Sequence, residues 1–301
     1  MKKQLLVMML LLLGMVVLSA CQSDETVENT LPPKVDLKTE TPIILIHGSG
    51  GDTHSLDEIA DHLMNDFASS KEEMSMSISA DGDITYQGAL TKDAHRPIIK
   101  LGFDKNQADP DKWSEWLHIA VADLKARYGF SQMDGVGHSN GGLALTYFAE
   151  NYSKDKSVPT LRKLITIGSP FNDLDTDKNA GSLDFQALPA YTKQMTYFID
   201  NKTKLNTKLE VLSIAGKLDD GKKATDGLVP TNSSLASRLF MPENVKVYIE
   251  DLQVGDTAVH QTLHETPESI EQVYWFLEKF HSEKNMTKLV SEYEDTINVT
   301  Y

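Results

Sequence analysis

The chain has 301 residues, of which 29 are Lys or Arg and 44 are Asp or Glu, so its formal net charge is −15. An excess of acid this large repels the phosphates of nucleic acids and anionic lipid surfaces, so we expect no nucleic-acid partner. A single cysteine excludes an internal disulfide. Core packing must therefore stabilise the fold, even if the protein works outside the cytoplasm.

Residues 1–20 have the order of a secretory signal. Lys2 and Lys3 precede an apolar run from Leu5 to Leu18, which is short for a membrane-spanning helix, and small residues follow. Cys21 comes directly after them, so the stretch resembles a bacterial lipobox, in which cleavage exposes a lipid-modified cysteine. The alternative is an ordinary secretory signal with an incidental cysteine. We expect a lipoprotein signal peptide and a mature protein held on the extracellular face of the cell membrane by acyl chains on Cys21.

Residues 21–40 are polar and acidic, contain Pro32 and Pro33, and show little apolar periodicity. This composition favours a disordered tether. We expect a folded domain over residues 41–285 and a C-terminal extension over residues 286–301.

Within that domain, apolar runs of strand length alternate with stretches of helical spacing. The runs that predict strands are Pro42 to His47, Ile98 to Phe103, Met133 to Gly137, Leu164 to Gly168, Leu209 to Ala215 and Val245 to Ile249. The stretches that predict helices are Leu56 to Ala68, Trp113 to Tyr128, Leu143 to Tyr152 and Ser269 to Phe280. This alternation predicts an α/β fold with a mostly parallel central sheet and helices on both faces.

Two stretches interrupt the alternation. Met74 to Gly88 alternates apolar and polar residues around an Asp-Gly pair, which predicts a hairpin at the sheet edge. Residues 171–206 follow the predicted strand Leu164 to Gly168, which is the sixth when both strands of the hairpin are counted, and form an insertion with a short helix around Tyr191 to Ile199. The insertion could serve as a small cap over the sheet.

The stretch MDGVGHSNGGLALTYF, from Met133 to Phe148, passes from a buried strand through a tight turn into a helix. Its centre, GHSNG, matches G-x-S-x-G, in which small neighbours allow a sharp bend that projects the serine outward. A serine hydroxyl becomes a useful nucleophile only when a base removes its proton and fixed donors receive the oxyanion. The pattern predicts Ser139 as a nucleophile; the alternative is a glycine-rich structural turn. His138 occupies a variable position, and we expect no proton transfer by it.

The stretch IILIHGSGG, from Ile43 to Gly51, closes an earlier strand with a His-Gly turn. In hydrolases built on such a sheet, this turn presents a backbone N–H to the oxyanion, and the residue after the nucleophile presents another. Here those residues are Ser49 and Asn140. His47 could act only as a brace for the loop.

The acid and the base are expected in the order Ser, Asp or Glu, His, each on a loop at the carboxyl end of a strand. Asp226 lies in TDGLVP, where the Asp-Gly step allows a sharp turn, and it is our predicted acid. Asp219 and Asp220 precede it and remain alternatives.

Two histidines after the last predicted strand are candidates for the base. His260 is favoured because its distance from Pro267 fits the closing motif, and His264 remains the alternative. The pair also forms HxxxH, but Gln261 stands where a zinc protease has glutamate, so we expect no metal.

With these residues placed, the chain resembles the α/β-hydrolases, and more closely a poorly characterised family of secreted or lipid-anchored serine hydrolases from Gram-positive bacteria. The segments that carry the resemblance are PIILIHGSGG, IIKLGFDKN, VGHSNGGLAL, ITIGSPFN, TDGLVP and HQTLHETPE. The resemblance implies carboxylesterase-type chemistry, with Ser139 as nucleophile, Asp226 as acid and a histidine of the last motif as base. That motif usually reads His-Ser, and Gln261 replaces the serine here.

We therefore expect a monomeric serine hydrolase that needs no cofactor and acts on a small-molecule ester. The alternative is a lipid-anchored, non-catalytic binding protein that retains the hydrolase fold. A spacing reminiscent of a calcium loop occurs in the insertion, although Lys178 stands where such a loop has glycine. Its residues are Asp173, Asp175, Asp177, Asn179 and Asp184.

Overall fold

The computed structural model describes residues 31–219, 224–282 and 297–300. The predicted signal peptide, Cys21 and the first part of the predicted tether lie outside the described residues. Within the described residues, nine strands form one sheet in the order β3-β2-β4-β1-β5-β6-β7-β8-β9. The sheet positions the candidate catalytic residues, because the loops at the carboxyl ends of its strands carry them.

From β4 onward, helices separate the successive strands, whereas β2, β3 and β4 follow one another without a helix between them. The strands are β1 (Ile43–Ile46), β2 (Glu73–Ile78), β3 (Ile84–Gln87), β4 (Ile98–Phe103), β5 (Gln132–His138), β6 (Thr160–Ile167), β7 (Glu210–Lys217), β8 (Val247–Val254) and β9 (Ile297–Thr300). The α-helices in the described residues are α1 (Asp57–Asp61), α2 (Pro110–Tyr128), α3 (Asn140–Asn151), α4 (Lys193–Asn201), α5 (Thr231–Ser234) and α6 (Pro267–Tyr274).

Strand direction follows the prediction of a mostly parallel sheet. The central pairs from β2 through β8 are parallel. The hairpin partner β3 runs antiparallel to β2 at one edge, and β9 runs antiparallel to β8 at the other. The predicted edge hairpin is confirmed, and the last strand lies within the predicted C-terminal extension.

Both faces of the sheet are covered, which explains the continuous apolar runs of the strands. In β1, Ile44 and Ile46 pack into the core beneath α2 and α3, which includes Trp113. Ile43 and Leu45 pack into the opposite core with α1, α6 and Phe276. Successive strand side chains point to opposite faces, so a strand buried on both sides carries apolar residues at every position.

Several element boundaries differ from the predictions. The closing helix α6 begins at Pro267, with Thr266 as N-cap, and a π-helical turn Trp275–Lys279 continues it. Residues 31–40, within the predicted tether, are partly packed: Leu37 is buried, and its N–H donates to the carbonyl oxygen of Tyr128. The N–H of Val35 also donates to the carbonyl oxygen of Arg127, so contacts with distant residues, which composition does not show, attach this polar segment.

The insertion after β6 packs on the body of the protein through aromatic contacts. On α4, Phe198 is buried and stacks on Phe240, with ring centroids 5.4 Å apart. Tyr147 of α3 lies 4.5 Å from Phe198 by ring centroids. Thr192 caps α4, because its hydroxyl accepts the N–H of Met195. Among the described residues, no helix is both long and apolar enough to cross a membrane.

Candidate active site

Ser139 occupies the bend between β5 and α3. Its backbone angles, φ 52° and ψ −123°, lie in a region that side-chain-bearing residues rarely adopt. The glycines on either side make the bend possible. A Cβ on Gly137 would lie 2.4 Å from the carbonyl carbon of Gly141, and one on Gly141 would lie 2.4 Å from the carbonyl oxygen of Ile46.

Ser139, His260 and Asp226 form a chain of hydrogen bonds. His260 Nε2 lies 3.1 Å from Ser139 Oγ, and His260 Nδ1 lies 2.7 Å from Asp226 Oδ2. A carboxylate can only accept, so Nδ1 donates to it and Nε2 is left to accept the serine proton. The exposed fractions are 8% for Ser139, 4% for His260 and 0% for Asp226. The structure thus brings together the three residues that the sequence selected.

The Asp226 carboxylate is fixed by its own loop between β7 and α5. Its Oδ1 accepts the N–H groups of Leu228 at 3.0 Å and Val229 at 2.7 Å, which leaves Oδ2 for His260. Gly227, with φ +95°, allows the turn that aims both N–H groups inward. Of the alternatives, Asp219 is exposed and Asp220 lies outside the described residues.

His260 is held by its backbone as well as by its side chain. Its N–H donates to the backbone oxygen of Asp226 at 2.8 Å. The alternative base, His264, is also buried, but its ring packs against His138, with centroids 4.4 Å apart. Burial lowers the pKa of His264.

His138 has a structural role that the sequence did not reveal. Its Nε2 lies 2.8 Å from the backbone carbonyl oxygen of His260, so it donates there. Burial holds the pKa of His138 well below its usual value, which favours the neutral ring. Within the described residues, the hydrogen bond of Ser139 Oγ is to His260 and none joins that oxygen to His138. Its contact with His260 left no signal in the sequence, because G-x-S-x-G leaves this position variable.

The His-Gly loop after β1 lies against the serine. A Cβ on Gly48 would fall 3.1 Å from Ser139 Cβ, which explains the need for glycine there. His47 braces the loop: its Nε2 accepts the N–H of Phe103 at 3.3 Å, and its Nδ1 donates to the carbonyl oxygen of Gly48 at 2.6 Å. Burial lowers the pKa of His47, which favours this neutral form.

Ser49 and Asn140 meet beside the nucleophile. The side-chain Nδ2 of Asn140 donates to Ser49 Oγ at 2.6 Å. The backbone N–H groups of both residues find no acceptor within the described part of the chain. Two unpaired amide donors therefore flank Ser139, one from the loop after β1 and one from the first turn of α3.

A family model for alpha/beta hydrolases of unknown function (DUF915) matches residues 30–280. The chain belongs to this family. Among solved structures, the lin2722 gene product of Listeria innocua is 64% identical with a TM-score of 0.79, covering 81% of this chain and 96% of that chain. A protein of Lactobacillus plantarum assigned as a cell surface hydrolase is 27% identical with a TM-score of 0.65, covering 83% of this chain and 96% of that one. No curated protein matches.

This alpha/beta hydrolase carries its candidate site where its sheet topology predicts a ligand. The chain leaves β1 toward β2, β3 and β4 on one side and then returns to place β5 on the other side of β1. Ligands bind at such a switch point, outside the carboxyl ends of the strands. Ser49 and Ser139 follow β1 and β5 at this point.

A cleft of about 990 Å³ opens over Ser139 in the hydrolase. Ser49 and Asn140 line it together with residues of the insertion. Three large apolar side chains in its lining are unusually exposed: Leu174 at 42%, Tyr191 at 43% and Leu228 at 47%. The cleft therefore offers apolar contact area next to the nucleophile.

The calcium spacing does not form a ligand cluster in the hydrolase. Within the described residues, no group of three or more His, Cys, Asp or Glu side chains could hold a metal ion. Asp175 Oδ1 accepts the backbone N–H of Asp177 and Lys178, while the side chain of Asn179 bonds to Asn172. These side chains hydrogen-bond to groups of the protein rather than converging on one point, and we do not propose calcium binding.

Proposed function

We propose that this hydrolase cleaves carboxylic esters through Ser139, His260 and Asp226, by way of an acyl-enzyme. The observation that carries the proposal is the hydrogen-bonded chain that joins the three side chains over 3.1 Å and 2.7 Å and ends at Ser139, which lines the cleft. Nucleophile, base and acid meet from loops far apart in sequence. The same arrangement activates serine in hydrolases of unrelated folds.

In the first half of the proposed reaction, Ser139 Oγ attacks the ester carbonyl carbon and its proton passes to His260 Nε2. Asp226 stabilises the resulting imidazolium through Nδ1–H. The carbon–oxygen bond to the alcohol then breaks, and His260 returns the proton to the leaving alcohol. In the second half, water attacks the acyl-enzyme with the same base, and the carboxylic acid leaves with Ser139 restored.

The backbone N–H groups of Ser49 and Asn140 would hold the oxyanion in both halves. Both lack acceptors within the described residues, and both flank the serine. A donor of this kind typically stabilises the transition state by about 3 to 4 kcal/mol. Asn140 also begins α3, so the positive end of the helix dipole faces the developing charge.

The apolar residues of the cleft favour ester substrates that carry an apolar group, as in carboxylesterase or lipase-like activity. Leu174, Tyr191 and Leu228 expose apolar surface to the cleft, and an acyl or alkyl group would cover it. Activity is therefore expected to be higher on butyrate than on acetate esters.

We also propose that the protein acts on the extracellular face of the membrane, anchored through Cys21. Support comes from the lipobox-like residues before Cys21 and from the relative assigned as a cell surface hydrolase. Changing Cys21 to serine should move the protein from the detergent-extracted membrane fraction to the culture medium. Retention of the Cys21→Ser protein in the membrane fraction would contradict the anchor.

Hydrolysis of p-nitrophenyl acetate and butyrate tests the proposed reaction. The Ser139→Ala variant should lose activity by a factor on the order of 10⁴ to 10⁶, because the acyl-enzyme cannot form. Its unfolding temperature should stay close to that of the wild type, which separates loss of chemistry from loss of fold. Equal rates for the two proteins would support the alternative, a binding protein on a hydrolase fold.

A further inference from the structure

We propose that the side-chain hydroxyl of Ser49 is a third donor to the oxyanion and that the side chain of Asn140 orients it. This inference rests on the proposed function, because it adds a donor to that reaction. It concerns the side chains of Ser49 and Asn140, whereas the proposed oxyanion hole uses only their backbone N–H groups.

The direction of one hydrogen bond carries the argument. Asn140 Nδ2 lies 2.6 Å from Ser49 Oγ. An amide nitrogen has two N–H donors and no acceptor lone pair, so Ser49 Oγ must accept this bond. The hydroxyl proton of Ser49 is then directed away from Asn140. It finds no acceptor among the residues that the structure describes.

The hydroxyl lies where a donor would be useful. Ser49 follows Gly48, whose Cα is so close to the nucleophile that an added Cβ would fall 3.1 Å from Ser139 Cβ. Ser49, Ser139 and Asn140 line the same cleft. The backbone N–H of Ser49, already proposed as a donor, belongs to the same residue, so backbone and side chain can converge on one oxygen.

The bond from Asn140 also removes a rotational cost. A serine hydroxyl in an open cleft rotates freely and bonds with water, and it must reorient when negative charge develops. A donor that is fixed in advance stabilises the charge without that reorganisation. Asn140 is thus a positioning residue, which acts on the reaction only through Ser49.

Four single variants separate this role from a structural one. Ser49→Ala removes the donor and should lower kcat about 10²-fold with KM within twofold, because the oxyanion exists only in the transition state. Ser49→Thr keeps a hydroxyl and should restore most of kcat. Asn140→Ala should lower kcat less than Ser49→Ala, because the hydroxyl remains but rotates freely. Asn140→Asp should match or exceed the loss of Ser49→Ala, because its carboxylate accepts the Ser49 proton.

A double-mutant cycle tests whether Asn140 acts through Ser49. In the Ser49→Ala background, Asn140→Ala should cost no further kcat. An equal cost in both backgrounds would overturn the positioning role. A Ser49→Ala enzyme with kcat within twofold of the wild type, or a Thr variant no more active than the Ala variant, would overturn the third donor.

A failure of the third donor can be distinguished from a failure of the proposed function. If Ser139→Ala retains activity, the serine mechanism itself is wrong. If Ser139→Ala is inactive while Ser49→Ala is fully active, only the third donor is wrong. Unfolding temperatures measured for every variant confirm that the fold is kept.

Discussion

His138 donates a hydrogen bond from Nε2 to the backbone carbonyl oxygen of His260, over 2.8 Å, although the two residues lie 122 positions apart in the chain. The neighbour of the nucleophile therefore holds the loop of the base. Their rings also pack, with centroids 4.8 Å apart. The distance from Ser139 Oγ to His260 Nε2 thus depends on the contact between His260 and His138, the residue directly before the nucleophile.

We predict that His138→Phe lowers kcat on p-nitrophenyl butyrate by about tenfold, because the carbonyl of His260 loses its donor and the base loop becomes less fixed. His138→Gln, which keeps a side-chain N–H, should retain more activity than His138→Phe. Steady-state kinetics of both variants provide the measurement. Wild-type kcat in His138→Phe would show that the contact does not position the base.

Asp226→Asn should lower kcat by a factor on the order of 10³ to 10⁴. The amide N–H would face His260 Nδ1 and force the proton onto Nε2, so the ring could no longer accept the serine proton. The matched control is Asp219→Asn, since Asp219 is exposed and was the alternative acid. Comparable losses in both variants would remove Asp226 from its proposed role.

His260→Gln should abolish measurable turnover, whereas His264→Gln should keep activity within about tenfold of the wild type. Of these two histidines, His260 bonds to both Ser139 and Asp226, whereas the ring of His264 packs against that of His138. Rates on p-nitrophenyl butyrate decide between the two histidines. An inactive His264→Gln with an unchanged unfolding temperature would reopen the assignment of the base.

The parts of the fold that the sequence predicted share a property. Runs such as Ile43–Ile46 and Ile98–Phe103 are apolar at nearly every position because helices cover both faces of the sheet. A continuous apolar run in the sequence therefore predicts a buried strand. The nucleophile could also be predicted from the sequence, because its local geometry restricts the neighbouring residues. A sharp bend at Ser139 admits only glycines at two neighbouring positions, and this constraint is visible without coordinates.

The features that the sequence did not predict depend on contacts between distant segments. The helix α5 and the 3₁₀ turn Leu235–Leu239 contain several small polar residues and no clear apolar stripe, yet Ser233 and Ser237 are fully buried. Their hydroxyls bond to partners such as the backbone oxygen of Asp173. The packing of Leu37 and the bond from His138 to His260 are of the same kind. Local pattern carries no information about such partners.

Glu150 on α3 gives a prediction about stability and pH. It is 1% exposed, and neither carboxyl oxygen has a hydrogen-bond partner within the described part of the chain. Burial raises its pKa from 4.5 to about 9, while the charge of Lys204 acts in the opposite direction. Above pH 4.5 the unfolded carboxyl loses its proton while the folded one keeps it. The folded state then binds more protons than the unfolded state, so the free energy of unfolding falls as pH rises toward 9, by up to about 1.4 kcal/mol per pH unit.

Glu150→Gln removes this titration and should raise the unfolding temperature at pH 8 by several degrees, with a smaller gain at pH 5. The exposed Glu58→Gln is the control for a change of net charge, and its effect should not depend on pH in this way. Thermal unfolding across pH 5 to 9 is the measurement. Parallel curves for wild type and Glu150→Gln would show that this carboxyl does not control the pH dependence.

Labelling with a fluorophosphonate tests the central claim most directly, because the reagent modifies only a serine that a neighbouring base has activated. We predict one adduct per protein, which peptide mass spectrometry places on Ser139, together with loss of esterase activity at the same rate. His260→Gln and prior unfolding should each prevent the reaction. Absence of an adduct on the folded wild-type protein, or an adduct at another residue with Ser139 unmodified, would contradict the account.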